Sequence, residues 1–164
     1  MKVDKRRRRE GKTDYAARIA LLKGETPRAV FRKTNRYIIA EYVTSKAAQD
    51  KIEIGFTSRK LKNFGWPAEF EGSLKSVPAS YLTGFLMGKE IAKAKLKTPI
   101  VDLGMMRIIG KNKAFAFIKG LVDAGIKIKC DEENFPEQDR IEGKNLKKDF
   151  SKTFKEIKSK LEKA

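Results

Sequence analysis

Histidine is missing from the chain altogether, and cysteine occurs once, at Cys130. The first absence removes the commonest general base and the commonest metal ligand, leaving Asp, Glu, Lys, Tyr and one thiol for any catalysis. The second excludes an internal disulfide and a multi-cysteine zinc site. No apolar run is long enough to span a bilayer, and no apolar signal-peptide segment follows the charged N-terminal stretch MKVDKRRRREGK. A soluble, cytoplasmic protein in a reducing setting is expected. Acidic residues are scarce beside basic ones, 21 against 38, which leaves a formal charge of +17 over 164 residues. Self-repulsion of that size opposes compaction unless a polyanion neutralises it, so nucleic acid or an anionic membrane surface is the first partner to consider.

What is present suffices for one core, since 40% of the residues are hydrophobic. Residues 1–12 are almost all charged and read as an extended basic arm. Residues 13–130 read as the α/β core and residues 131–164 as a C-terminal extension ending in a helix. Within the core, Thr13 is expected to cap a short helix that Gly24 ends in the left-handed conformation. PRAVFRKTNRYIIAEYV, from Pro27 to Val43, is two apolar runs around a basic centre. With Thr34 and Asn35 as the turn, Phe31, Lys33, Arg36 and Ile38 share one face of the hairpin. Val30, Arg32, Tyr37 and Ile39 share the other. KIEIGF is a third strand by its alternation, and residues 57–77 read as a long loop.

Ser76 and Pro78 open a helix with Leu82, Phe85, Leu86 and Ala92 on one side. Its Gly84 and Gly88 imply close packing against the sheet. PIVDL is expected as a strand covered on both faces, AFAFIKGLVDAG as a helix ended by Gly125, and IKIKC as a last strand. A meander followed by helix, strand, helix and strand predicts a three-layer α/β/α sandwich with a mixed sheet. The last helix carries Leu146, Phe150, Phe154, Ile157 and Leu161 in one stripe, explained most simply by docking on the protein's own core or on a neighbour. Its polar side mixes acids with lysines, which argues against a membrane surface.

The search for chemistry returns little. GMMRIIGKN has five residues between Gly104 and Gly110 where a phosphate loop needs four, and Asn112 stands where that loop carries Ser or Thr. The first strand, RAVFRK, lacks the carboxylates by which ribonuclease-H-like nucleases hold metal, and Asp102 reads as a strand-end residue tying up backbone amides. No cofactor, metal or small-molecule substrate is expected. Basic residues mixed with Tyr15, Tyr37 and Trp66 instead suit folded RNA, whose loops offer unstacked bases as well as phosphates. Each has a plainer reading: the arginine run as a nuclear address or solvated tail, Tyr37 and Trp66 as core.

KTDYAARIALLKG, PRAVFRKTNRYIIAEYV, Gly65-Trp66, PASYLTGFLMGKEIAKAK, IVDLG, FAFIKGLVDAG and FPEQDRIEGKNL occur in this order. Together they resemble the large-subunit ribosomal protein that binds 5S ribosomal RNA, number eighteen in the universal numbering, in its archaeal and eukaryotic form. The C-terminal end is shorter than in the eukaryotic relatives, making the archaeal type the nearer resemblance. The resemblance implies an architectural protein of the cytoplasmic ribosome, without catalysis, anchoring 5S rRNA in the central protuberance beside large-subunit rRNA and neighbouring ribosomal proteins. Its RNA-contacting regions carry over onto Arg6, Arg7, Arg8, Arg9, Lys12, Tyr15 and Arg18, and onto Arg32, Lys33, Thr34, Asn35, Arg36 and Tyr37. Arg59, Lys60, Lys62 and Trp66 extend the expected surface. The competing readings are an RNA-processing enzyme on a ribonuclease-H-like sandwich and a non-specific basic nucleic-acid-binding protein.

Overall fold

The computed structural model describes residues 3–146 and 149–163. Its sheet grows from the predicted meander. Strand β1 (Arg28–Lys33) pairs antiparallel with β2 (Ile38–Lys46), which pairs antiparallel with β3 (Gln49–Thr57). A fourth strand, β4 (Ile100–Asp102), lies parallel to β1, giving the order β3-β2-β1-β4 and a mixed sheet. The hairpin register differs from the expected one by two residues. Lys33 faces Ile38 rather than Arg36, so the connection is a four-residue loop. Because side chains alternate with period two, this shift leaves the strand faces as predicted.

Helices cover both faces of the sheet in a three-layer arrangement. Ala29, Phe31, Ile38, Ala40 and Tyr42 pack against α3 (Val77–Lys93) and α4 (Lys113–Asp123). On the opposite face, α2 (Tyr15–Lys23) is tied to the sheet by the Arg18–Asp50 ion pair, and its Ala17, Ala20 and Leu21 line a groove together with Asp102 of β4. Asp14, not Thr13, caps α2, accepting the N–H groups of Ala16 and Ala17 at 3.0 and 3.2 Å. Its carboxylate can serve two donors at once and also suits the positive end of the helix. Positive φ at the far end falls on Glu25 rather than Gly24.

Helix α3 is buried nearly all round and joins two apolar clusters. Met87 and Ile91 face the sheet cluster, while Leu82, Phe85 and Leu86 belong to a second cluster completed from the C-terminal segment. Ala92, expected on the apolar side, is exposed. The second cluster holds Phe150, Phe154, Ile157 and Leu161 of the segment through α6 (Ser151–Lys163), with Trp66 and Ile141, the latter from α5 (Gln138–Glu142). The last helix therefore docks on the protein's own core. Lys147 and Lys148, within the expected final helix, fall outside the described residues.

The glycines of α3 meet a different partner from the expected sheet. A Cβ on Gly84 would stand 2.1 Å from the Phe117 carbonyl oxygen of α4, and one on Gly120 2.2 Å from that of Tyr81. Gly88 approaches Ala124 and Leu121. The pairings Gly84 with Phe117 and Gly88 with Leu121 advance together along both chains, so α3 and α4 run parallel.

Three further expectations change. The strand from PIVDL is an edge strand with Ile100 40% exposed, because no strand among the described residues pairs beyond it. IKIKC does not join the sheet: Ile126 is buried in the sheet cluster and its N–H bonds the Leu121 carbonyl, so its apolar character closes α4 instead. The loop at 57–77 contains 3₁₀ helices at Ser58–Phe64 and Ala68–Ser73. No helix among the described residues is long and apolar enough to cross a membrane.

Gly84→Ala and Gly120→Ala should each lower unfolding free energy by about 1–3 kcal/mol or more, because the obstructing atoms are backbone. Gly72→Ala, with nothing near its Cβ position, should stay within about 0.5 kcal/mol of the parent. Urea melts measure all three; a Gly84→Ala protein as stable as the parent would refute the close helix contact.

Candidate nucleic-acid interface

The face of β1 that carries Arg28 and Arg32 is organised by two carboxylates. Arg28, 3% exposed, donates to Asp102 Oδ2 at 3.0 Å and to Asp50 Oδ1 at 2.7 Å. Arg18 of α2 donates to the other Asp50 oxygen at 3.0 Å, and Arg32 to Asp102 Oδ1 at 2.9 Å. Arg32 also donates to the carbonyls of Asp102 and Phe31. Cations and carboxylates thus alternate along one line from α2 across β1 to β4. Such a line is favourable only because each buried charge meets the opposite sign. Asp102 also accepts the Gly104 N–H at 2.8 Å, the strand-end role expected of it, and Gly104 leaves room for the Arg32 guanidinium.

Burial opposes ionisation of Asp102, but the Arg32 charge and hydrogen bond, the Gly104 amide and Arg28 outweigh it, leaving its carboxyl below the usual range. Asp50 is lowered likewise: burial is outweighed by the Ser45 hydroxyl, Arg18 and Arg28.

The arm is folded rather than extended where it carries its arginines. Helix α1 (Arg6–Arg9) is a single turn, and the chain returns so that Arg7 Nε donates to Thr13 Oγ1 at 2.9 Å and the Thr13 N–H bonds the Arg7 carbonyl. Arg6 and Lys12 stand by Glu10, Arg8 lies between Asp4 and Asp14, and Lys5 lies 4.6 Å over the Tyr15 ring. Arg9 makes no ion pair among the described residues. The fold brings this arm to the hairpin. One groove of about 460 Å³ has Arg7, Lys12, Arg18 and Arg32 in its wall, and a second of about 480 Å³ has Arg7, Lys12, Arg32 and Lys33.

Thr34 shapes the hairpin tip. Its hydroxyl donates to the Tyr37 carbonyl at 2.8 Å and accepts the N–H groups of Arg36 and Tyr37. This local bonding replaces the two-residue turn and explains the longer loop. Asn35 and Arg36 are exposed at its end, and neither Lys33 nor Arg36 forms an ion pair among the described residues. On the far side, Asn35, Arg36, Tyr37, Arg59 and Lys62 border a third groove of about 450 Å³. Arg59 lies 4.3 Å over the Tyr37 ring, Lys62 pairs with Glu71, and Lys60 pairs with Glu90 at 3.2 Å.

Trp66 takes the core side of its two readings. It is 5% exposed, lies 4.7 Å from the Phe150 ring and donates its indole N–H to the Phe70 carbonyl at 2.9 Å. Its flat faces are enclosed, so it fixes the loop carrying Arg59 and Lys62 from beneath. Sequence pattern missed Asp50 and the use of Arg28 as a buried centre. The one available signal was parity, since Arg28 and Arg32 share a strand face with Val30. No group of three or more His, Cys, Asp or Glu among the described residues could hold a metal ion.

An α/β core whose carboxylates neutralise one line of cations and leave the projecting tip bare defines a class: a basic protein built to lie against a polyanion. A family model described as "Ribosomal large subunit proteins 60S L5, and 50S L18" matches residues 1–99. The large ribosomal subunit protein uL18 of Korarchaeum cryptofilum is 42% identical over 145 residues, covering 88% of this chain and 72% of that protein. The protein of the same name from Methanospirillum hungatei is 40% identical over 141 residues, 86% of this chain and 78% of its own. The chain belongs to this family of large-subunit ribosomal proteins; it is a structural constituent of the cytoplasmic ribosome and not an enzyme.

Asp102→Asn should destabilise the fold by about 3–5 kcal/mol, because it leaves Arg28 buried with one carboxylate fewer. The pH dependence follows from the lowered carboxyls. Their stabilisation is complete above the ordinary carboxylate range and is lost as pH falls through the depressed folded values. Urea melts from about pH 6 to about pH 2 should show this loss in the parent and a shallower one in Asp102→Asn; identical profiles would remove Asp102 from the explanation.

Proposed function

We propose that the protein binds 5S ribosomal RNA and helps to anchor it in the central protuberance of the large subunit. The arm with α1 and α2, the hairpin tip and the first 3₁₀ helix form the contact surface. The observation that carries this reading is the bare tip. Lys33 and Arg36 stand without carboxylate partners among the described residues, between grooves whose walls hold Arg7 and Lys12 on one side and Arg59 and Lys62 on the other. The surface takes the RNA backbone through Arg6 to Arg9, Lys12, Lys33 and Arg36. Tyr15, Thr34, Asn35 and Tyr37 add stacking or hydrogen bonding where bases are unstacked. Arg18 and Arg32 serve partly through the carboxylates that hold them, so their guanidinium groups arrive already oriented. Lys60, Lys62 and Arg59 complete the far side, and Trp66 supports them from the core. Large-subunit rRNA and neighbouring ribosomal proteins complete the surroundings.

The test is competition between 5S rRNA and transfer RNA for the purified protein across a salt series. Preference for 5S rRNA by about a hundredfold, or about 2.7 kcal/mol, is the expected result. Equal competition at every salt concentration would reduce the protein to a non-specific polyanion binder and overturn the 5S assignment.

A further inference from the structure

The hairpin tip, the entry to α3 and the entry to α4 meet at one end of the molecule. Ile38, the register partner of Lys33, donates its N–H to Ser58 Oγ at 3.1 Å, and that buried hydroxyl donates to the Leu74 carbonyl at 2.6 Å. Lys75 follows directly. The rings of Phe31 and Phe117 lie 5.0 Å apart. Lys33 is two residues beyond Phe31 on the same strand face, and Lys113 is one turn before Phe117 on the same helix face. Their stems therefore leave the core side by side. The parallel course of α3 and α4 also brings the positive ends of both helices to this place.

The two helix starts are capped by neutral oxygens only: the Ser76 hydroxyl accepts the Ala79 N–H, and the Asn112 carboxamide oxygen accepts those of Ala114 and Phe115. Lys33, Lys75 and Lys113 form no ion pair among the described residues. Burial, then the neighbouring charges of Lys33 and Lys75, hold the Lys113 ammonium below its ordinary range. A lysine in the first turn of a helix is also unfavourable on dipole grounds. Elsewhere in this chain Arg18, Arg28, Arg32, Lys60 and Lys62 each meet a carboxylate. These three do not, and an anion between them would remove both penalties.

We propose that Lys33, Lys75 and Lys113 form a phosphate-binding site that clamps a backbone phosphodiester of the bound RNA where the hairpin meets the two helix entries. The site rests on the RNA-binding reading above and extends it to α3 and α4, which no basic run or motif marks. Its geometry is fixed by the core, because each lysine is adjacent to, or one turn from, a group held in the packed interior.

The experiment compares the parent protein, Lys33→Gln/Lys75→Gln/Lys113→Gln, and a control with Gln at exposed Lys46, Lys127 and Lys155. Each binds 5S rRNA, and separately transfer RNA, across a salt series, and each is melted without RNA. The site triple should flatten the salt dependence by about 0.7 units, the contribution of one phosphate contact on single strands, and the control by less than half of that. The site triple should also melt no lower than the parent, since repulsion has been relieved. An unchanged salt slope in the folded site triple, or a flattening equal to the control's, overturns the site. If the parent fails to prefer 5S rRNA yet the site triple flattens the slope on both RNAs, the phosphate site stands and only the 5S assignment falls.

Discussion

The contact between the backbones of α3 and α4 is the constraint on which the rest of the structure depends. Gly84 and Gly120 let the helices approach until carbonyl oxygens stand where side chains would be. That approach sets the depth at which Phe117 meets Phe31 and so fixes the helix layer against the sheet. It also frees the outer side of α3 for Leu82, Phe85 and Leu86, on which the C-terminal segment docks. Glycine in a helix costs about 1 kcal/mol relative to alanine. Here that cost is outweighed by two apolar clusters sharing one central helix.

Upon this frame the chain distributes its few carboxylates unevenly. With 21 acids against 38 bases, it cannot neutralise every cation. Asp50 and Asp102 are placed where Arg28 would otherwise be buried without a counter-charge, a location at which an unpaired charge would be prohibitive. Exposed cations need no such help, because water solvates them. On the sheet face counter-charge follows desolvation, whereas partly buried Lys113 has no carboxylate partner among the described residues. A basic run on the surface and a basic residue in a strand therefore carry different meanings, and Arg32, half-buried and bonded to Asp102, lies at the boundary between them.

Legibility of the sequence follows the same division. The strands of the meander, the two long helices and the capping of α3 by Ser76 were readable because periodicity and caps are local. Hairpin faces survived a two-residue error in register for a geometric reason, since only an odd shift exchanges them. The features misread or left open were decided by distant partners. Gly84 faces α4 because of where α4 lies, Trp66 is buried because Phe150 arrives from the far end of the chain, and IKIKC spends its apolar residues on closing a helix. At the site, the arginine run and the hairpin tip were legible as charge, but the pairing of Arg18 and Arg28 through Asp50 was not. Nothing in a sequence announces which cation will be desolvated.

Assembly gives these electrostatics their direction. A chain at +17 carries repulsion in its folded state, and the Lys113 ammonium, held down by burial and by Lys33 and Lys75, is one place where it is felt. At the proposed site an RNA phosphate would relieve that repulsion as it binds, so a feature that weakens the free protein would strengthen the complex. The carboxylates act in the opposite sense. Asp50 and Asp102 stabilise the free fold and hold Arg18 and Arg32 in place; at the proposed interface such fixed groups would lose less conformational entropy on binding. In the proposed interface, preorganised arginines beside unrelieved lysines would combine a surface already shaped for its partner with an incentive to remain on it.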